Sequence, residues 1–236
     1  MQKHHTTIRI IFWLLSMLGS LVLGLLMAGA NLSSAKQMIY IGYWLVFLML
    51  GSIGINYLWL WQFGKAMDAL RPLLSQPQGP DRYICEMQTM LRGRRSGWLR
   101  AVLLTNIAVG HLAKEDYAKG KALLLQVNHK RLLGSNQTIY WADLALAYFY
   151  LGEDTQAMQL LHARAPQFSA LRNHTTFGGL LAILSVFEQL ALGNRAAATQ
   201  LLEQARQRWL DPLHDKDFAH LERLCRGDEA APANPI

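Results

Sequence analysis

Two uncharged apolar stretches decide the fold of this chain: residues 10–30, IIFWLLSMLGSLVLGLLMAGA, and residues 39–61, IYIGYWLVFLMLGSIGINYLWLW. Neither stretch contains Lys, Arg, Asp, Glu or His, and only eight residues separate them. At a rise of about 1.5 Å per residue, each is long enough to cross a hydrocarbon layer of ~30 Å as a helix. A buried core helix rarely runs this long without a polar face. The sequence therefore predicts a transmembrane hairpin.

Basic residues give the hairpin its orientation. Lys3 and Arg9 precede the first stretch, the connecting loop contains only Lys36, and further basic residues follow the second stretch from Lys65 onward. Because cytoplasmic flanks are enriched in Lys and Arg, both termini are predicted to be cytoplasmic, at an inner or plasma membrane. A cleavable signal peptide is the alternative for the first stretch, since residues 28–30, Ala-Gly-Ala, resemble a cleavage site. Its apolar run is longer than a typical signal core, and cleavage would leave the second helix as the anchor.

Small and polar residues inside the hairpin predict how its helices pack. Ser16, Ser20, Gly24 and Ala28 recur every fourth residue and form a stripe along which a second helix could approach closely. Asn56 needs a hydrogen-bond partner in hydrocarbon, and a serine hydroxyl of the first helix is the predicted partner. Neither helix contains the ionisable group that ion or transport pathways usually use. The pattern indicates helix packing rather than a pore.

The positive charge of the chain is concentrated after the hairpin. The formal net charge is +7, and seven basic but only three acidic residues lie between residues 65 and 100. Such a segment beside the cytoplasmic leaflet is attracted to anionic lipid, so Arg92, Arg94 and Arg95 are predicted lipid contacts. A plain solvated face is the alternative. Nucleic-acid binding is not expected, because the sequence has no aromatic-interleaved basic motif.

The rest of the chain predicts one helical domain. Residues 1–9 form a cytoplasmic N-terminus, residues 62–80 a juxtamembrane linker, residues 81–225 the domain and residues 226–236 a disordered tail. No alternating strand pattern bounded by hairpin turns occurs, so the predicted fold class is all-α. The periodic apolar segments predict helices at 83–92, 97–113, 115–128, 138–151, 154–164, 177–192, 194–209 and 212–225.

One helix pair has the pattern of a known repeat. Its residues are Trp141, Leu144, Ala145 and Tyr148 on a first helix, Gly152 at the turn, and Ala157 on a second helix. Residues 140–166 thereby resemble a tetratricopeptide repeat (TPR), with Pro166 ending the unit. Looser matches extend the resemblance over about residues 98–210, which implies a short TPR-like α-solenoid. The order of two-helix anchor, basic segment and repeats is also similar to the N-terminal layout of HemY-type bacterial membrane proteins.

The resemblance to TPR proteins implies a concave surface lined mainly by first helices. The residues it places on that surface are Leu146, Phe149, Tyr150, Leu180, Ile183 and Phe187. This face is apolar, which argues against capture of acidic C-termini by basic side chains. Two interpretations stay open. The groove could bind an amphipathic helix of a partner protein. Alternatively, the helix at 83–92, or the last helix with Phe218, Leu221 and Leu224, fills it.

The sequence has no apparent set of catalytic residues, so an enzyme is not predicted. His214, His220 and Cys225 match no zinc-site spacing, and neither a metal nor another cofactor is expected. Cys85 and Cys225 are predicted to be free thiols, as in a reducing cytoplasm. Loss of activity on mutation of single polar residues such as His220 or Asp143 would instead indicate an enzyme.

These observations together predict a membrane-anchored adaptor or scaffold, with a protein partner bound by the helical domain. The alternative is a non-catalytic accessory subunit of a membrane enzyme or transporter, bound through the transmembrane hairpin. The two differ in which half of the chain contacts the partner.

Overall fold

A computed structural model describes residues 2–30, 33–92 and 96–228 of the chain. Over these ranges the backbone forms ten α-helices, three short 3-10 helices and no β-strand, which confirms the predicted all-α class. The chain divides into two units, Met1–Ala69 and Leu70–Ile236.

The first unit consists of two long helices, α1 (Gln2–Gly29) and α2 (Ser34–Leu70). Ile10–Gly29 in α1 and the apolar part of α2 are long and apolar enough to cross a membrane, judged by length and composition. α2 has 37 residues, about 55 Å at the usual rise per residue. It therefore includes residues 62–70 of the predicted juxtamembrane linker, a stretch whose apolar pattern also predicts a helix that continues or follows the second one. No proline occurs in this stretch before Pro72.

Aromatic rings that lie on glycines join α1 to α2. The ring of Trp44 lies over Gly19, and its Nε1 donates a hydrogen bond of 2.9 Å to Ser20 Oγ. The ring of Phe12 lies over Gly51. A Cβ at Gly19 would lie 2.5 Å from the Trp44 ring, and one at Gly51 would lie 2.7 Å from the Phe12 ring. Both glycines therefore permit a close approach that no other residue would allow without movement of the ring.

The face of α1 toward α2 differs from the predicted stripe. Among the α1 side chains from residue 10 onward, the least exposed are Phe12, Ser16, Gly19, Leu23 and Met27. The predicted stripe shares Ser16 with this face, whereas Ser20, Gly24 and Ala28 are exposed within the unit. The reason is helical geometry: with 3.6 residues per turn, a strict four-residue spacing drifts by about 40° per step around the helix.

Three polar side chains of the hairpin form hydrogen bonds within their own helices. Asn56 Nδ2 donates a hydrogen bond of 3.0 Å to the carbonyl of Ser52. The hydroxyls of Ser16 and Ser20 donate to the carbonyls of Phe12 and Ser16 at 2.7 and 2.8 Å. Such bonds to the preceding turn satisfy hydroxyl donors without a partner helix.

Substitution of Gly19 by valine is expected to weaken the association of α1 with α2. The added side chain would meet the Trp44 ring, and overpacking of this kind costs about 1–3 kcal/mol. The measurement is a titration of the full chain in mixed micelles with SDS, followed by near-UV circular dichroism. Gly24→Val is the matched control, because nothing lies within 4 Å of a Cβ at Gly24. Equal midpoints for the two variants would contradict this packing.

The described residues of the second unit form eight α-helices after a 3-10 helix at Arg71–Ser75. Further 3-10 helices lie at His129–Arg131 and Pro212–His214. The α-helices are α3 (Gly79–Leu91), α4 (Gly97–Ala113), α5 (Tyr117–Gln126), α6 (Ser135–Tyr150), α7 (Asp154–Leu171), α8 (Gly178–Ala191), α9 (Arg195–Arg208) and α10 (Asp215–Arg226).

The two largest differences from the predicted helix boundaries are at the start of α3 and the end of α7. α3 begins at Gly79, inside the predicted linker. Pro80 fits in the first turn because proline has no backbone N–H, and an N–H at this position would have no acceptor within the helix. α7 runs to Leu171 through Pro166, which was predicted to end the repeat. An internal proline removes one backbone hydrogen bond, and Pro166 is exposed. The predicted tail lies outside the described residues from residue 229 onward.

Helices adjacent in sequence pack against each other through small residues. α3 packs on α4, α4 on α5, α6 on α7 and α8 on α9. A Cβ at Gly110 would lie 2.6 Å from Ile84 Cγ1, so glycine lets α3 approach α4 closely. Ala145 in α6, Ala157 in α7 and Ala198 in α9 are fully buried. The core of the unit therefore lies between neighbouring helices along its whole length.

The last helix completes this core. α10 packs against both α8 and α9. Its side chains Phe218 and Leu221 are buried in one cluster with Phe149 of α6 and Phe187 of α8, whose rings stack at 5.0 Å. α10 is thus part of the folded core rather than a surface addition.

Candidate functional site

A cavity of about 270 Å³ lies within the second unit. Its walls come from the end of α4, the middle of α6, the start of α8, and the segments at residues 74–75 and 212–217. Much of the lining is apolar and consists of Leu74, Val109, Leu112, Leu146, Leu180 and Leu213. The size is just below the ~300–1,000 Å³ typical of small-molecule sites.

Asp143 is the buried acid of this cavity. It projects from the middle of α6, is only 5% exposed, and lines the cavity. Its Oδ2 has no hydrogen-bond partner within the described structure. Burial raises the pKa of this carboxyl to about 8, because a charge is poorly solvated there. Such an unsatisfied buried group costs stability unless something pairs with it.

A second carboxyl in the wall, that of Asp217, has a partner. The Tyr150 hydroxyl donates to Asp217 Oδ1, and the Tyr150 ring stacks on Tyr117 with 4.0 Å between ring centroids. Burial raises the pKa of Asp217 to about 6, although this hydrogen bond opposes the shift. The ring of His220 lies 4.9 Å from that of Tyr150. The arrangement fixes Asp217, in contrast to Asp143.

Charged groups at the edge of the cavity are predominantly acidic. Glu115 and Asp215 line it together with Asp217, and the lysine there, Lys216, is held by Glu115 at 2.9 Å. His214 is buried in the wall, and burial lowers its pKa, so its imidazole is neutral at pH 7. The cavity therefore has a negative electrostatic character.

The first segment of the unit closes one side of the cavity. Arg71 Nη2 donates to Asp211 Oδ2 at 2.9 Å and to the carbonyl of Thr176 at 3.2 Å. These bonds hold the 3-10 helix that contributes Leu74 and Ser75 to the lining. The guanidinium is thereby committed to partners other than Asp143.

The predicted partner-binding residues lie mostly in the core. Leu146, Phe149, Ile183 and Phe187 are buried, whereas Tyr150 and Leu180 are half-buried. Of the two interpretations of the groove, binding of a partner or filling by the chain itself, the burial of these residues favours the second. The physical reason is α10, whose Phe218 and Leu221 pack into the same cluster. Leu146 and Leu180 instead face the cavity.

The predicted repeat-packing residues lie on α6, α7 and their connection. Trp141, Leu144, Ala145 and Ala157 are buried, and Tyr148 is half-buried. Gly152 takes a left-handed conformation, φ +69°, at the turn. The guanidinium of Arg164 in α7 lies over the Trp141 ring, 4.5 Å from its centroid. Of the predicted lipid-contacting residues, Arg92 is exposed after α3, and Arg94 and Arg95 lie outside the described residues.

Comparison of the chain with protein-family models, with curated proteins and with solved structures found no match. The chain is therefore characterised by its own fold and site. It is an all-α protein with two helices that could span a membrane and a helical domain around a cavity with acidic edges.

Sequence reasoning did not assign this cavity, although one signal pointed to it. Asp143 is the sole charged residue of the sixteen in α6, where its neighbours are apolar. An acidic residue in such a run is either exposed on a polar face or buried with a partner that offsets the cost of burial. The contributions of residues 74–75 and 212–217 come from distant parts of the chain and have no local signature.

Proposed function

We propose that this chain is a membrane-anchored interaction protein with both termini in the cytoplasm. The hairpin of α1 and α2 holds it in an inner or plasma membrane, and a TPR-like helical domain binds a protein partner. The observation that carries the proposal is the exposed apolar surface of α1 and α2 beside a domain that buries a core of its own. Large exposed apolar surfaces of this kind are covered by lipid or by another protein.

Pairing of α6 with α7 and of α8 with α9 supports the repeat-like part of this proposal. Because α10 fills the apolar groove, a partner would contact the domain elsewhere on its surface. The large apolar side chains exposed there include Leu133 and Leu210, the second of which is 82% exposed.

The second candidate is a non-catalytic accessory subunit that binds its enzyme or transporter through the hairpin. The observation that favours it is the set of exposed aromatic side chains on α1 and α2, which could pack on other transmembrane helices as well as on lipid. These rings are Trp13, Tyr40, Tyr43, Phe47, Tyr57 and Trp61.

Photo-crosslinking in intact membranes distinguishes the two functions. A photoreactive phenylalanine is placed in the full chain at Leu133 or Leu210 in the domain, or at Leu25 or Tyr57 in the hairpin. All four side chains are exposed, so the substitutions leave the core intact. The adaptor predicts one protein crosslinked from a domain position and none from the hairpin. The accessory subunit predicts the reverse. If an alkaline wash released the chain from the membranes into the soluble fraction, both proposals would be contradicted.

A further inference from the structure

The cavity beside Asp143 has the features of a built site rather than a packing defect. It combines about 270 Å³ of space with a carboxyl that is buried, faces the space and lacks a partner at Oδ2 within the described residues. Packing voids in proteins are normally apolar and smaller, and buried polar groups normally have partners. An occupant that pairs with Asp143 accounts for both features.

The charges around the cavity select the sign of that occupant. Glu115, Asp215 and Asp217 line it with Asp143, and Lys216 is paired with Glu115. Arg71 is bonded to Asp211 and to a backbone carbonyl, and Lys114, which lies between two lining residues, is paired with Asp81. No basic side chain of these segments therefore neutralises Asp143, and an anion would meet repulsion.

The walls select the rest of the occupant. Leu112, Leu146 and Leu180 present apolar surface next to the carboxyl. A dry cavity of about 150 Å³ accommodates benzene, so the present volume suits a ring with a short chain, on the order of ten non-hydrogen atoms. The occupant is therefore cationic at one end and apolar over most of its surface.

We propose that this cavity binds a small amphipathic amine, with the ammonium group against the Asp143 carboxylate and the apolar body against Leu146 and Leu180. The site goes beyond the proposed function and does not depend on whether the hairpin anchors the chain. A basic side chain of a partner protein has related chemistry, but a lysine side chain fills less of the volume and has no ring for the leucine walls.

Binding of an ammonium ion at this site is linked to protons. Asp143 is largely protonated in the free protein at pH 7 and must ionise to pair with the amine, so up to one proton is released. The groups that face this region are Tyr83 from α3, Arg71 from the first segment, Glu115 and Tyr117 before and in α5, and His214, Asp215, Asp217 and Lys216 from the last segment. Of these, His214 is neutral and Lys216 is ion-paired at pH 7, so the released proton comes from Asp143.

The test is isothermal titration calorimetry of the full chain in mild detergent with 2-phenylethylamine as the probe. 2-Phenylethanol and phenylacetate serve as neutral and anionic controls of similar size. The proposal predicts that the amine binds at least tenfold more tightly than either control. It also predicts about one proton released at pH 7, measured in two buffers of different ionisation enthalpy.

Variants separate the site from partition of the amine into detergent. Asp143→Asn is expected to weaken amine binding at least tenfold, whereas Asp154→Asn, which changes an exposed carboxyl outside the cavity, leaves it unchanged. If Asp143→Asn does not fold, proton release by the unmodified chain decides. Equal affinity for the amine and the alcohol would overturn the proposal. So would the absence of binding of any probe at about 10 mM, a concentration at which weakly binding fragments are detected, and the cavity would then be water-filled. Binding of N-acetyl-lysinamide without binding of 2-phenylethylamine overturns it in favour of a basic protein segment.

Discussion

Replacement of Phe218 by alanine is expected to destabilise the second unit by about 3–5 kcal/mol, the usual cost of truncating a buried aromatic side chain. Phe218 is 4% exposed and packs in the cluster formed with α6, α8 and α9, where the ring of His214 meets it edge-on at 6.1 Å. Because native domains are stable by only ~5–15 kcal/mol, the loss would be a large part of the total. Urea unfolding of the full chain in mild detergent, followed by near-UV circular dichroism, measures it.

The matched control for Phe218→Ala is Leu210→Ala, which shortens a side chain that is 82% exposed just before the last segment. Surface substitutions of this kind change stability by about 0.5 kcal/mol or less. If the two variants had equal midpoints, α10 would not be part of the core, and the apolar groove of α6 and α8 would be open to a partner. The experiment therefore decides between the two interpretations of the groove that the sequence left open.

Local sequence signals were sufficient to predict the helices, but they predicted the helix ends less accurately. Gly152 and Gly193 stop α6 and α8 in left-handed conformations, as glycine at this position is expected to do. Pro80 belongs to the predicted linker and Pro166 was predicted to end the repeat, but Pro80 lies in the first turn of α3 and Pro166 lies inside α7. A proline excludes only its own N–H and the space of its ring, so its effect depends on its position relative to the helix start.

Contacts between distant segments were less predictable. The four-residue spacing on α1 could be recognised from the sequence, but the contact is made by the Trp44 ring of α2 over Gly19 and the Phe12 ring of α1 over Gly51. The placement of these rings depends on how the two helices are rotated about their axes. The groove residues are apolar, as the sequence indicates, but whether α10 covers them depends on tertiary packing, which local sequence patterns do not specify. The cavity forms where residues 74–75 and 212–217 pack near Asp143, and no sequence spacing predicts this contact between distant segments.

The stability of the second unit is expected to fall as the pH rises from 6.5 to 8, and Asp143 is the cause. Its pKa is about 8 in the folded chain and about 3.9 when unfolded, so the folded state holds the extra proton between these values. Because the native state binds more protons, the free energy of unfolding decreases with rising pH in this window. The contribution of Asp143 to this decrease from pH 6.5 to 8 is expected to be about 1–2 kcal/mol.

Other shifted groups contribute near the lower end of this range. Burial raises the pKa of Asp217 to about 6, so its effect above pH 6.5 is small. Burial lowers the pKa values of His111, His214 and His220, so the unfolded chain binds more protons at these sites and they raise stability as the pH rises to about 7.5. The difference in stability between the wild-type chain and Asp143→Asn across the range therefore isolates Asp143 from them. The measurement is urea unfolding of the full chain in mild detergent at four pH values within this range.

Two matched variants identify the group responsible for this slope. Asp143→Asn removes the titrating carboxyl and is expected to abolish the fall in stability, because an amide stays neutral throughout the range. Asp217→Asn removes the other buried carboxyl of the cavity wall and is expected to keep the full slope above pH 7, since Asp217 is already ionised there. If the stabilities of the wild-type chain and Asp143→Asn changed in parallel across the range, the Asp143 carboxyl would be solvated or paired in the folded protein. An amine in the cavity would have the same effect, because it pairs with the ionised carboxylate and supplies the stabilisation that the empty site lacks.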